Sequence, residues 1–194
     1  MIEVFNPKVI YFCKSETVIM SKRDLKKYLN ELNKEQLEEQ IIELYEKFST
    51  VKVYYNFVFN PKEDTLLQEC KIKISHEYFP IKTTGRGKKP KMRRSVAQKY
   101  IKHFIVLGVD PFVIADVMLY NIEIAQTFSS GHPIKQELFY KSMFNSFEQA
   151  VVFMIANGIL QEFKARIVAI HKETISQKWK NESEFDAIIE RFEY

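Results

Sequence analysis

Lys82-Thr83-Thr84-Gly85-Arg86-Gly87-Lys88-Lys89-Pro90-Lys91-Met92-Arg93-Arg94 places seven cations on a stretch broken by two glycines and a proline. Glycine and proline disfavour helix, so the segment is expected to be extended and exposed. Cations on an extended backbone can each sit near a separate phosphate. Every phosphate neutralised releases counterions, which drives binding at low salt. The candidate nucleic-acid contacts are Lys82, Arg86, Lys88, Lys89, Lys91, Arg93 and Arg94, on DNA or RNA backbone. An acidic protein surface is a competing partner, and a solvated basic loop with no partner is the plainest reading. Net charge is only +4, too mild by itself to imply a polyanion. Its distribution says more. From Tyr78 to Val109 there are nine cations and no Asp or Glu, which leaves −5 for the rest of the chain.

A P-loop is excluded. The pattern ending at Gly87-Lys88 needs glycine where Lys82 stands and Ser or Thr where Lys89 stands. A second constellation is Asp116, Tyr120, Glu123 and Thr127, which helical spacing puts on one stripe. Two carboxylates beside a phenol suit acid–base chemistry or a cation; a solvated or neighbour-bonded helix face fits equally. His76, His103, His132 and His171 show no i,i+4 pair and no close cysteine, so no metal site is expected. His103 is read as half-buried and structural, His132 as a loop residue open to a ligand. Cys70 shares a stripe with Leu66, Leu67 and Ile74 and reads as a buried small hydrophobe. No catalytic residue and no cofactor is assigned. Tyr54, Tyr55, Tyr100 and Tyr140 are possible stacking surfaces for bases, with nothing in the sequence to choose among them.

The elements that must carry these side chains are helices. Five Gly and six Pro in 194 residues leave few tight turns. Ser21-x-x-Asp24 and Asn33-x-x-Gln36 open the first two helices as capping boxes, which form a tight hairpin. Val51–Phe59 has strand propensity among helical neighbours and is assigned a short helix. Asn60-Pro61 starts a helix reaching about Tyr78. After the basic linker, a helix runs from about Ser95 to Leu107 and Gly108 stops it. Asp110-Pro111 starts the next, apolar around most of its circumference and therefore central, which ends near Phe128. Ser129–Pro133 is a loop. One long helix or two shorter ones reach Asn157, another runs from Leu160 toward Trp179, and Asn181 or Ser183 caps a last one.

The expected fold is all-α: a bundle or short α-solenoid-like stack of about eight or nine helices. Residues 20–194 form one helical domain with a basic linker at 80–94. Residues 1–19, with short β-prone runs, are an extension, and Met20 is the expected native start. No run approaches the ~18 apolar residues of a membrane helix, so the protein is expected to be cytoplasmic, with no membrane partner and an open oligomeric state.

Several motifs resemble an uncharacterised bacterial domain-of-unknown-function family over about Ser21–Phe128. They are Asp24-Leu25-x-x-Tyr28-Leu29, Gln40-Ile41-Ile42-Glu43-Leu44-Tyr45, Asn60-Pro61, Glu77-Tyr78-Phe79-Pro80, Lys88 through Ala97, and Ala115-Asp116-x-Met118-Leu119. The resemblance implies a helical domain and no activity. Arg86-Gly87-Lys88-Lys89-Pro90 also resembles an AT-hook, an Arg-Gly-Arg-Pro segment that lies in the minor groove; here the second arginine is replaced and an extra residue precedes the proline. The first hairpin resembles the small SAP-type DNA-binding hairpin without its glycine-centred turn. Together these readings point to a non-enzymatic module that binds nucleic-acid backbone through Lys82–Arg94. A protein adaptor with an apolar inter-helix groove is the first alternative, and an enzyme using Asp116, Tyr120 and Glu123 the second.

Overall fold

A computed structural model describes residues 21–81 and 89–192. The β-prone runs before Met20 and the linker cations Lys82, Arg86 and Lys88 lie outside the described residues. Among those described there are nine α-helices and no strand: α1 (Lys22–Asn30), α2 (Lys34–Lys47), α3 (Ser49–Phe59), α4 (Glu63–Tyr78), α5 (Arg94–Leu107), α6 (Pro111–Gly131), α7 (Glu137–Ala156), α8 (Leu160–Ser176) and α9 (Glu182–Ile189), followed by a 3-10 turn at Glu190–Phe192.

Local chemistry sets most of these boundaries. Ser21 Oγ accepts from the Asp24 N–H at 3.2 Å while the Asp24 carboxylate accepts from the Ser21 N–H at 3.3 Å. Asn33 and Gln36 exchange the same pair at 2.8 and 3.0 Å. Both capping boxes satisfy N–H groups that a helix start leaves orphaned. The segment of uncertain propensity is helical, as α3. The start of α4 departs from expectation. The Asn60 N–H closes α3 by donating to the Asn56 carbonyl at 3.1 Å, so Asn60 caps nothing and α4 begins at Glu63. Glu63 and Asp64 then complement the positive end of its dipole.

Three helices end on one device. Gly108 adopts φ +72 and Gly158 φ +70, left-handed values that cost glycine nothing. In each, two N–H groups turn back onto the last carbonyls: Gly108 to Ile105 and Val109 to Phe104, then Gly158 to Ile155 and Ile159 to Met154. Lys178 ends α8 the same way at φ +51, its N–H on Ile175 and that of Trp179 on Thr174. This stops α8 at Ser176, short of the expected Trp179. By contrast α6 overruns its expected end, continuing through Ser129 and Ser130, whose hydroxyls donate to the Gln126 and Thr127 carbonyls.

The chain divides into two units, residues 1–52 and 53–194. In the first, Gln40 Nε2 donates to Tyr28 Oη at 2.5 Å and ties α2 to α1. No residue of α1 or α2 is buried, and Leu25, Leu29, Ile41, Ile42, Leu44 and Phe48 are exposed.

The second unit is a bundle around α6, which packs against α4, α5, α7 and α8. Ile114, Val117, Leu119, Ile122 and Ala125 are buried on it, so its nearly unbroken hydrophobicity follows from having neighbours on most sides. Two buried amides, Asn121 and Gln126, interrupt the apolar surface. Gln126 Nε2 reaches the Ile170 carbonyl at 2.8 Å and Thr174 Oγ1 at 3.0 Å, so it ties α6 to α8. Helix α9 is held by Phe185, fully buried against the rings of Phe144, Phe147 and Trp179.

Candidate functional site

Helices α4 and α5 pack against each other, and their polar faces form the walls of a cleft of about 730 Å³. Helical spacing puts Lys73, His76 and Glu77 on the α4 wall and Lys99, Tyr100 and His103 on the α5 wall. An adjoining cleft of about 340 Å³ shares His76, Glu77 and Arg93 and adds Lys89 and Lys91. Among the described residues, Lys73, Lys89, Lys91 and Lys99 take part in no ion pair, and Glu77 is the one carboxylate lining either cleft. His103 is exposed here, not half-buried as its apolar neighbours suggest. Tyr100 is half-buried with its ring edge-on to Phe104. Burial, with a smaller contribution from the Glu69 charge, pushes its phenol pKa up.

Glu77 straps the end of the linker to α4. Its backbone carbonyl, one of the orphaned acceptors at a helix end, takes the N–H groups of Lys91 at 2.9 Å and Met92 at 3.0 Å. Met92 turns at φ +51 to allow this. The Glu77 carboxylate accepts from Arg93 Nε at 2.9 Å and Nη2 at 2.8 Å, a bidentate fork. A carboxylate in the last helical turn opposes the dipole, and Arg93 offsets that. The Arg93 side-chain hydrogen bond holds the Glu77 carboxyl below its usual pKa range. A group depressed in the folded state stabilises above its unfolded pKa, about 4.3, and that stability is lost as pH falls through the lowered native value. Glu77→Gln is therefore expected to cost about 1 kcal/mol at pH 7, under the ~1.5–3 kcal/mol of a typical charge-assisted bond because water reaches the arginine. The gap to the parent protein should begin to narrow as pH falls below the unfolded value and close once pH is below the lowered native one, as checked by urea melts across pH; a gap independent of pH would contradict it.

Arg93 is thus committed to Glu77. Arg94 is committed to α7: Nε donates to Ser146 Oγ at 2.8 Å and Nη2 to Gln149 Oε1 at 2.7 Å. Burial lowers its pKa. Of the seven linker cations, the described pair without an ion partner or side-chain hydrogen bond is Lys89 and Lys91, and Arg93, though paired, is also exposed. The structure brings them together with Lys73 and Lys99, which sequence reading did not single out.

The stripe on α6 is paired as well. Arg166 of α8 donates to Asp116 Oδ1 at 2.6 Å and to both oxygens of Glu123 at 2.5 and 2.7 Å. Lys71 of α4 pairs with Asp116 Oδ2 at 2.6 Å and lies 5.3 Å from the Tyr120 ring centroid. Burial disfavours the Arg166 charge, but its hydrogen bonds to the two carboxylates outweigh this and raise its pKa. Thr127 bonds back to the Glu123 carbonyl. His132 stacks on Phe128 with centroids 4.4 Å apart, and His171 Nε2 lies 2.5 Å from Asp186 Oδ1. Cys70 is fully buried, its thiol pushed up to about 12 by desolvation.

Fold and site together define an all-helical protein with a cation-lined cleft between two adjacent helices. The chain belongs to a family of unknown function, DUF6155, whose sequence profile matches residues 20–193. The match runs past Phe128, where the quoted motifs stop, and includes α7, α8 and α9. No curated protein and no solved structure matches the chain.

Proposed function

We propose that this protein is a non-enzymatic module that binds nucleic-acid backbone through the α4–α5 cleft and the adjoining linker. The observation that carries this is the convergence of Lys73, Lys89, Lys91 and Lys99 on two adjoining clefts whose one described carboxylate is already occupied by Arg93. Lys73, Lys89, Lys91, Lys99 and Arg93 outnumber the carboxylates near them, Glu77 and Glu69, and the surplus creates a positive field that a phosphate chain relieves. Lys82, Arg86 and Lys88 belong to the same reading by sequence; Arg94 is held on α7, while Arg93, although bonded to Glu77, lines both clefts.

A salt titration against duplex and single-stranded oligonucleotides tests this. If four to six duplex phosphates are engaged, the log–log slope should be about −3 to −5. Replacing Lys73, Lys89, Lys91 and Lys99 with Ser should flatten the slope by about one per lost contact. A second variant with Lys82, Arg86 and Lys88 replaced measures their share. Unchanged affinity and slope in the first variant would sink the reading.

A second reading, a protein adaptor, is favoured by the exposed apolar residues of α1 and α2, since contiguous exposed apolar surface commonly marks an interaction site. It expects a single partner whose capture survives nuclease. The enzyme reading draws no support from this geometry, because Arg166 and Lys71 engage both carboxylates. A cavity beside the stripe touches Glu123 but neither Asp116 nor Tyr120. Among the described residues no helix is long and apolar enough to cross a membrane.

A further inference from the structure

We infer that the α4–α5 cleft holds an unpaired nucleotide unit, with its phosphate between Lys73 and Lys99 and its base against Tyr100, in preference to the backbone of a duplex. The inference rests on the phosphate-binding reading above and adds the class of ligand.

Three observations point this way. First, ammonium groups stand on both walls of an open cleft: Lys73 faces it from α4 and Lys99 from α5. A strand with unpaired bases can lower phosphate, sugar and base together into such a cleft, whereas the bases of a duplex stay paired and stacked inside it. Second, the recess measures about 730 Å³, within the ~300–1,000 Å³ of pockets that enclose ligands of nucleotide size. Third, an aromatic ring lies among the cations. Single-strand binders combine a basic groove with side chains on which bases stack. Of the tyrosines that could serve, Tyr100 is the one that lines this cleft, half-buried against Phe104, whereas the Tyr140 hydroxyl donates to the Ile134 carbonyl. The imidazoles of His76 and His103 add ring nitrogens that either donate or accept, suited to sugar hydroxyls or base edges.

A free nucleotide and an unpaired strand present the same phosphate, sugar and base, so the test separates them. Fluorescence anisotropy of the full chain would be measured with labelled oligothymidylate and with a blunt duplex of equal length, adding thymidine monophosphate as competitor. The single strand should bind about 10-fold more tightly than the duplex, within the stacking contribution of one base. Tyr100→Leu should weaken single-strand binding about 5- to 100-fold and duplex binding by much less, while Tyr100→Phe keeps the preference. Competition by the monophosphate at its own binding concentration would support the inference with a free nucleotide as ligand; single-strand preference without such competition would support it with a strand. If thermal melting shows that Tyr100→Leu is unfolded, the pair Lys73→Ser and Lys99→Ser replaces it, with the larger loss again expected on the single strand. Equal single-strand and duplex affinity, untouched by Tyr100→Leu, would overturn the inference and leave the phosphate-binding reading standing. No binding to any of the three probes would overturn both.

Discussion

Replacing Phe185 with alanine is expected to destabilise the protein by about 3–5 kcal/mol, the range for deleting a buried phenyl ring. Phe185 has no exposed surface, and its centroid lies 4.8 Å from that of Phe147, 5.5 Å from Phe144 and 6.0 Å from Trp179. Rings at these separations gain beyond the area they bury. Helix α9 is only eight residues long, too short to persist alone in water. Its helicity therefore depends on this anchor, with Ile188 and Ile189 as lesser ones. Urea denaturation gives the magnitude, and hydrogen exchange should show the amides of α9 losing protection before those of α6. A loss under about 1 kcal/mol would mean that the ring sits in a site able to collapse around the vacancy.

Arg166→Met is expected to cost about 2–3 kcal/mol, through electrostatics and not through volume. The guanidinium is 29% exposed, and the Asp116 and Glu123 carboxylates 23% and 33%. Removing the shared cation leaves Glu123 unpaired and Asp116 with Lys71 alone. Breaking a fully buried pair costs about 3–5 kcal/mol; partial access of water reduces that here. Neutralising the stranded acid as well, with Glu123→Gln on the same background, should recover much of the loss, because the cost lies in the unpaired charge and Asp116 keeps Lys71. If Arg166→Met alone changes stability by less than about 0.5 kcal/mol, the network does not clamp α6 to α8 as described.

What the sequence disclosed, and what it did not, follows the range of each interaction. Capping boxes at Ser21 and Asn33, the Asp110-Pro111 start and the left-handed glycines at 108 and 158 act within about four residues, and each was legible. Lys178 was not, because lysine carries no preference for the left-handed turn that ends α8. The extension of α6 over Ser129–Gly131 was hidden for a related reason: serines read as loop formers, yet here they bond back to their own helix. The stripe of Asp116, Tyr120 and Glu123 could be drawn from spacing, but its meaning depended on Arg166, some 43 to 50 residues on. The basic linker was visible as composition. That Arg93 and Arg94 would be spent on partners 16 and 52 residues away was not. Nor was the cleft, since Lys73 and Lys99 meet only once α4 and α5 lie side by side.

The placement of α6 bears on how the chain comes to be folded at all. Two helices that precede it and two that follow it close their apolar sides on the same cylinder. A nascent chain therefore carries α4 and α5 with Ile74, Tyr78, Ile101 and Phe104 uncovered until Pro111–Gly131 has been synthesised. Partners this near in chain order favour quick condensation once all are present. The hazardous interval is the earlier one, when those side chains are open to aggregation or to a chaperone.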